Sequence, residues 1–117
     1  MPYGAGPPSI ANVIPEPLSR DDAVRRIAAS EVDIRALGVQ RLALFGSVAR
    51  DQARADSDID VLVQFAPGAK TLERFFTLAE LLEERLGRPV ELVTTEGLSP
   101  FLGPRILAEA VDVVRAA

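Results

Sequence analysis

Leu44-Phe45-Gly46-Ser47, ten further residues, then Asp58-Ile59-Asp60-Val61-Leu62-Val63: these stretches decide how the chain folds and where its chemistry lies. Each holds an apolar run of strand length; the first ends on Gly-Ser, and two aspartates lead into the second. Gly46 lacks a Cβ, so the backbone can turn sharply there and approach a ligand. Ser47 can cap a following helix, whose free N–H groups and positive dipole end favour phosphate. Asp58 and Asp60 stand two apart on a predicted strand, so both side chains leave the same face of a sheet. Adjacent carboxylates repel unless a cation lies between them, and Mg²⁺ takes hard oxygen ligands of this kind. The pattern suits a site for a nucleoside triphosphate and a divalent metal.

Outward from these stretches, residues 41–45 read as the first strand and 59–65 as the second, closed by Pro67-Gly68. A helix starting near Ser47 fades into a polar loop over residues 50–54. Upstream, Ser19 caps a helix with Asp21 and Asp22 in its first turn and an apolar stripe of Val24, Ile27 and Ala28. Ser30 is placed to cap a shorter segment through Leu37, which Gly38 ends. Downstream, the spacing of Leu72, Phe75, Phe76, Ala79, Leu82 and Leu86 predicts a helix over 71–86, stopped by Gly87 and Pro89. Residues 90–93 form a third strand, a helix carries Ile106 and Leu107, and 111–114 form a last short strand. This alternation predicts a small α/β domain over residues 19–117. Residues 1–18, rich in Pro and Gly without periodicity, are expected to be a mobile arm.

Composition narrows the chemistry. The 117 residues suffice for one domain with a real core, and 48% of them are hydrophobic. A net charge of −4 argues against broad, sequence-independent nucleic-acid binding, which needs clustered Lys and Arg. The chain has no cysteine, which excludes disulfides and thiolate zinc sites, and no histidine, the commonest general base. Catalysis must therefore run on carboxylates, hydroxyls, Lys or Arg, and metal. No apolar run is long enough to span a membrane and no secretory signal opens the chain, so a cytoplasmic protein is expected.

Period-two alternation sorts the strand residues by face. Ile59, Val61, Val63 and Phe65 point one way, towards the helices, and Asp58, Asp60, Leu62 and Gln64 the other. On the third strand Val90 and Leu92 match the helix-facing set, which leaves Glu91 opposite. If the second and third strands are neighbours, Asp58, Asp60 and Glu91 gather near the Gly46-Ser47 turn. Two metal ions there could clamp a phosphoryl group.

Gly46-Ser47, ten residues, then Asp58-x-Asp60, with an acidic strand downstream, resembles the signature of minimal nucleotidyltransferases, relatives of the DNA polymerase β catalytic core. The resemblance covers roughly residues 20 to 115. It implies a small mixed sheet with helices packed on one face, and Mg²⁺-dependent transfer of a nucleoside monophosphate, AMP above all, from ATP or another NTP to a hydroxyl. It also implies that Asp58, Asp60 and Glu91 ligate metal and serve catalysis, that Gly46 and Ser47 hold the triphosphate, and that Arg50 lies close to the phosphates. Free-standing domains of this family are often antitoxins that transfer AMP to a tyrosine of an adjacent-gene HEPN toxin, and that partner is the one the resemblance implies.

Two positions depart from the family pattern. Glu91 stands where Asp is usual, and Asp51 where Gly often follows the arginine, adding negative charge near a phosphate path. They favour an alternative in which the chain neutralises its partner by contact alone. A further alternative is one half of a two-chain enzyme acting on a small molecule.

Overall fold

The first helix, α1 (Arg20–Ala28), begins where its cap predicts: Ser19 Oγ accepts from the Asp22 N–H, with Asp21 and Asp22 in the first turn. The computed structural model describes residues 16–115, so the expected mobile arm falls outside it except for its last three residues. Of these, Leu18 is buried in the core, which carries the folded unit back to that residue.

Helix α2 (Glu31–Ala36) follows, but Ser30 does not cap it: its hydroxyl accepts instead from Arg85 Nε at 2.8 Å. Gly38 then turns the chain at φ +85° into strand β1 (Val39–Phe45). A single helical turn, α3 (Gly46–Ala49), and a loop lead to β2 (Ile59–Phe65). Helix α4 (Leu72–Leu86) starts on a Thr71 cap and ends at Gly87 in the left-handed region. Strand β3 (Val90–Thr94), a 3₁₀ turn at Thr95–Gly97, helix α5 (Gly103–Glu109) and strand β4 (Val111–Val114) complete the chain. No helix among the described residues is long and apolar enough to cross a membrane.

The four strands form one mixed sheet in the order β3-β2-β1-β4. β1 runs antiparallel to β2 and to β4, while β2 and β3 are parallel, with α4 as the crossover that parallel neighbours require. The face sorting read from alternation holds. Ile59, Val61, Val63 and Phe65 enter the main core with Leu42 and Leu44 of β1, and Val90 and Leu92 pack against it. Ile27, Ile34, Leu78, Leu82 and Leu86 close that core from the helices; burying each such side chain contributes about 1.5–3 kcal/mol. On the other face Ala43, Phe45 and Leu62 form a smaller cluster, covered by Val93, Leu98, Ile106 and Ala110. A larger helical layer thus occupies one face, and α5 shelters part of the other.

The buried stripe of α4 differs from the expected one. Leu78, absent from the predicted set, is fully buried with Leu82 and Leu86, whereas Leu72 and Phe76 are exposed. Phe75 packs against the core and meets Phe76 edge to face at 5.7 Å. The line 75-78-82-86 is as good a helical stripe as the one chosen, and only contact with the sheet distinguishes them.

Candidate active site

Phe45 leaves β1 in extended conformation, and Gly46 turns the chain at φ +71° directly into α3. This turn abuts Asp60. A Cβ added at Gly46 would stand 3.0 Å from the Asp60 Cγ and closer still to its Oδ2, so no other residue fits without displacing the carboxylate. The contact follows from register: Phe45 is paired with Asp60 across the β1–β2 ladder. On its other side Asp60 is paired with Glu91 across the parallel β2–β3 ladder. Asp60 is therefore central, with the Gly46 turn to one side and the Glu91 strand to the other.

The electrostatics match that placement. Burial, then the charges of Glu91 and Asp58, push the Asp60 carboxyl up to about 6, with Arg50 opposing the rise and Glu109 adding to it. Asp58 and Glu91 are exposed, Asp58 immediately before β2 and Glu91 on the edge strand. Among the described residues, no three acidic side chains are gathered closely enough to hold one cation as they stand. The donor set still fits a hard divalent ion: all its members are carboxylates, two face each other in register, and the central one carries a like-charge penalty that a cation would reverse.

Ser47 corrects one expectation. It lies inside α3 rather than before it: Phe45 holds the cap position and no side chain caps the turn. Gly46 turns the chain at positive φ and stands first in α3, which moves the cap one residue upstream of the Gly-Ser pair.

Arg50 follows α3, its Nη1 3.0 Å from Glu109 Oε1 and its Nε 3.3 Å from Gln52 Oε1. Asp51, expected to add charge near a phosphate path, turns elsewhere. Its Oδ1 accepts from the Arg20 N–H at 2.9 Å, at the start of α1, where a helix favours an anion. Its backbone sits at φ +59°, a conformation that glycine adopts freely and Asp tolerates better than most residues. Asp51 thus meets a backbone demand that glycine would also satisfy.

Glu109 was not among the expected site residues. It ends α5, and its Oε2 accepts from the Gly46 N–H at 2.8 Å. The pairing of Leu44 with Val111 brings the α5–β4 junction alongside the Gly46 turn, and no local sequence signal announces that pairing. Next to the turn opens a cavity of 470 Å³ lined by Phe45, Gly46, Arg50, Leu102, Arg105, Ile106 and Glu109, within the size range of small-molecule sites. A second cavity of 290 Å³, near the start of α4, is lined by none of the expected site residues.

The family profile of the nucleotidyltransferase domain matches residues 22–113. The chain is 47% identical over 77 residues to a Methanocaldococcus jannaschii protein provisionally named a protein adenylyltransferase, spanning 66% of this chain and 82% of that protein. Among solved structures, a provisionally described minimal nucleotidyltransferase aligns at 38% identity and TM-score 0.68, over 80% of this chain and 94% of that one. A chain from the complex of tri-AMPylated Shewanella oneidensis HEPN toxin with MNT antitoxin aligns at 21% identity and TM-score 0.57, over 83% and 73% of the two chains. That last likeness concerns the fold.

Proposed function

This chain belongs to the nucleotidyltransferase domain family and is a nucleotidyltransferase; we propose that it transfers AMP from ATP to a tyrosine hydroxyl of a partner HEPN toxin and so acts as its antitoxin. The observation that carries the reading is the packing of Gly46 against Asp60, which sets a turn with a backbone donor beside a carboxylate whose proton affinity is raised by burial and by its acidic neighbours. The protein acceptor is supported by the name of the M. jannaschii relative and by the AMPylated toxin in the S. oneidensis complex.

In the proposed reaction the acceptor oxygen attacks the α-phosphorus, the bond to the β-phosphate oxygen breaks, and pyrophosphate leaves. The Gly46 N–H, Ser47 and Arg50 hold the phosphates and offset charge that grows on them. Asp58, Asp60 and Glu91 would hold Mg²⁺, which when bound supplies charge compensation to the phosphate oxygens. Asp60 or Glu91 takes the hydroxyl proton, since the chain has no histidine.

Glu91 tests the metal assignment. Glu91→Gln should be severely impaired at limiting Mg²⁺, while Glu91→Asp retains some activity. If both variants match wild type at every metal concentration, Glu91 is an edge-strand charge that guards against aggregation and not a ligand.

A second reading follows from the exposed, unconverged carboxylates: a partner-binding module with little transfer activity. Intact mass decides between them. Incubation of the adjacent-gene partner with this chain, ATP and Mg²⁺ should add about 329 Da per transfer, the mass of one AMP residue moved by phosphoryl-transfer chemistry. A stable complex with no mass increment would favour the module. Labelling of a small molecule in place of the partner would end the antitoxin assignment.

A further inference from the structure

The Glu109 carboxylate occupies donors that the reading above gives to the nucleotide. Its Oε2 accepts from the Gly46 N–H at 2.8 Å and its Oε1 from Arg50 Nη1 at 3.0 Å. One anion thereby bridges a backbone donor and a guanidinium, the same pair of contacts a phosphate would make.

Its setting gives this carboxylate little other stabilisation. It ends α5, where the helix dipole disfavours negative charge. It also adds to the negative field on Asp60. Its side chain is about a quarter exposed and borders the 470 Å³ cavity, so a change of rotamer can carry it off both donors without disturbing the core.

We infer that Glu109 is an internal stand-in for nucleotide phosphate, holding the Gly46 N–H and Arg50 in place before ATP arrives and giving both up when the triphosphate binds. Glu109 therefore sets nucleotide affinity, because binding must first displace it. The apparent dissociation constant is the intrinsic one divided by the fraction of molecules whose donors are free. The inference rests on the reading that nucleotide phosphates bind at Gly46 and Arg50.

The experiment is calorimetric titration of wild type, Glu109→Gln and Glu109→Ala with three probes: α,β-methylene-ATP with Mg²⁺, inorganic tripolyphosphate, and adenosine. Both substitutions remove the competing charge, and the Gln variant keeps an acceptor of similar shape. Both phosphate-bearing probes should bind roughly tenfold tighter to the variants, as expected where a charge-assisted contact leaves the donors free in about a tenth of molecules. Adenosine binding should not change. Equal or weaker binding of the phosphate probes, or tightening confined to adenosine, would overturn the inference while wild-type binding of the ATP analogue preserves the functional reading. If no form of the protein binds either phosphate probe, both fall together. In wild type alone, the Gly46 amide resonance should shift on titration with tripolyphosphate as its acceptor is exchanged; an unmoved resonance at saturating probe would equally refute the exchange.

Discussion

Asp60→Asn should lower AMP transfer at least ~10²-fold while leaving the metal-free domain folded, the loss being that of one group acting on the charged transition state. Asp60 is paired in register with Glu91 and abuts Gly46, so the substitution removes charge from the middle of the site. The metal-free protein adds a pH signature. Folding raises this carboxyl from 3.8 to about 6, so between those values the folded state binds more protons than the unfolded one. Wild-type stability therefore falls as pH rises through that window, and the neutral Asn escapes the fall. Melting temperatures of the two proteins should agree below about pH 4, and the variant should melt higher above about pH 7. Wild-type transfer by the variant would sink the catalytic assignment, and equal melting at neutral pH would sink the electrostatic one.

Gly46→Ala should cost the domain both stability and transfer. A residue with a Cβ in the left-handed region costs about 1–2 kcal/mol, and here the added carbon also strikes the Asp60 carboxylate. A melting temperature lower by about 5 to 15 °C is expected for a domain of this size, together with near-complete loss of transfer. Gly68→Ala separates the two causes. Gly68 has φ +76° with nothing within 4 Å of an added Cβ, so it carries the backbone strain without the collision. That control should melt lower than wild type yet transfer normally. If both variants behaved alike in both assays, contact with Asp60 would not be what Gly46 provides.

Glu91 and Asp51 are the positions expected to depart from the family pattern, and the structure treats them differently. Glu91 is paired in register with Asp60, so its longer side chain extends from the expected backbone position. Asp51 meets a backbone demand at positive φ and gives its carboxylate to the start of α1. The first outcome was legible from period-two alternation. The second needed the position of a helix that starts 31 residues earlier in the chain.

What the sequence determined by itself is what can be stated within one element or its immediate flanks. Alternation fixed β2 at Ile59–Phe65 and its two faces, a cap placed α1, and the Gly-Ser turn with its following aspartates marked a candidate site. Tertiary structure decided which of two apolar stripes on α4 meets the sheet, that Gly46 rather than Ser47 opens α3, and that Glu109 reaches the Gly46 N–H across 63 residues of chain. The division has a physical cause: local periodicity and capping depend on neighbours a few residues away, whereas strand pairing and the contacts it creates join residues whose separation along the chain leaves no mark in either stretch.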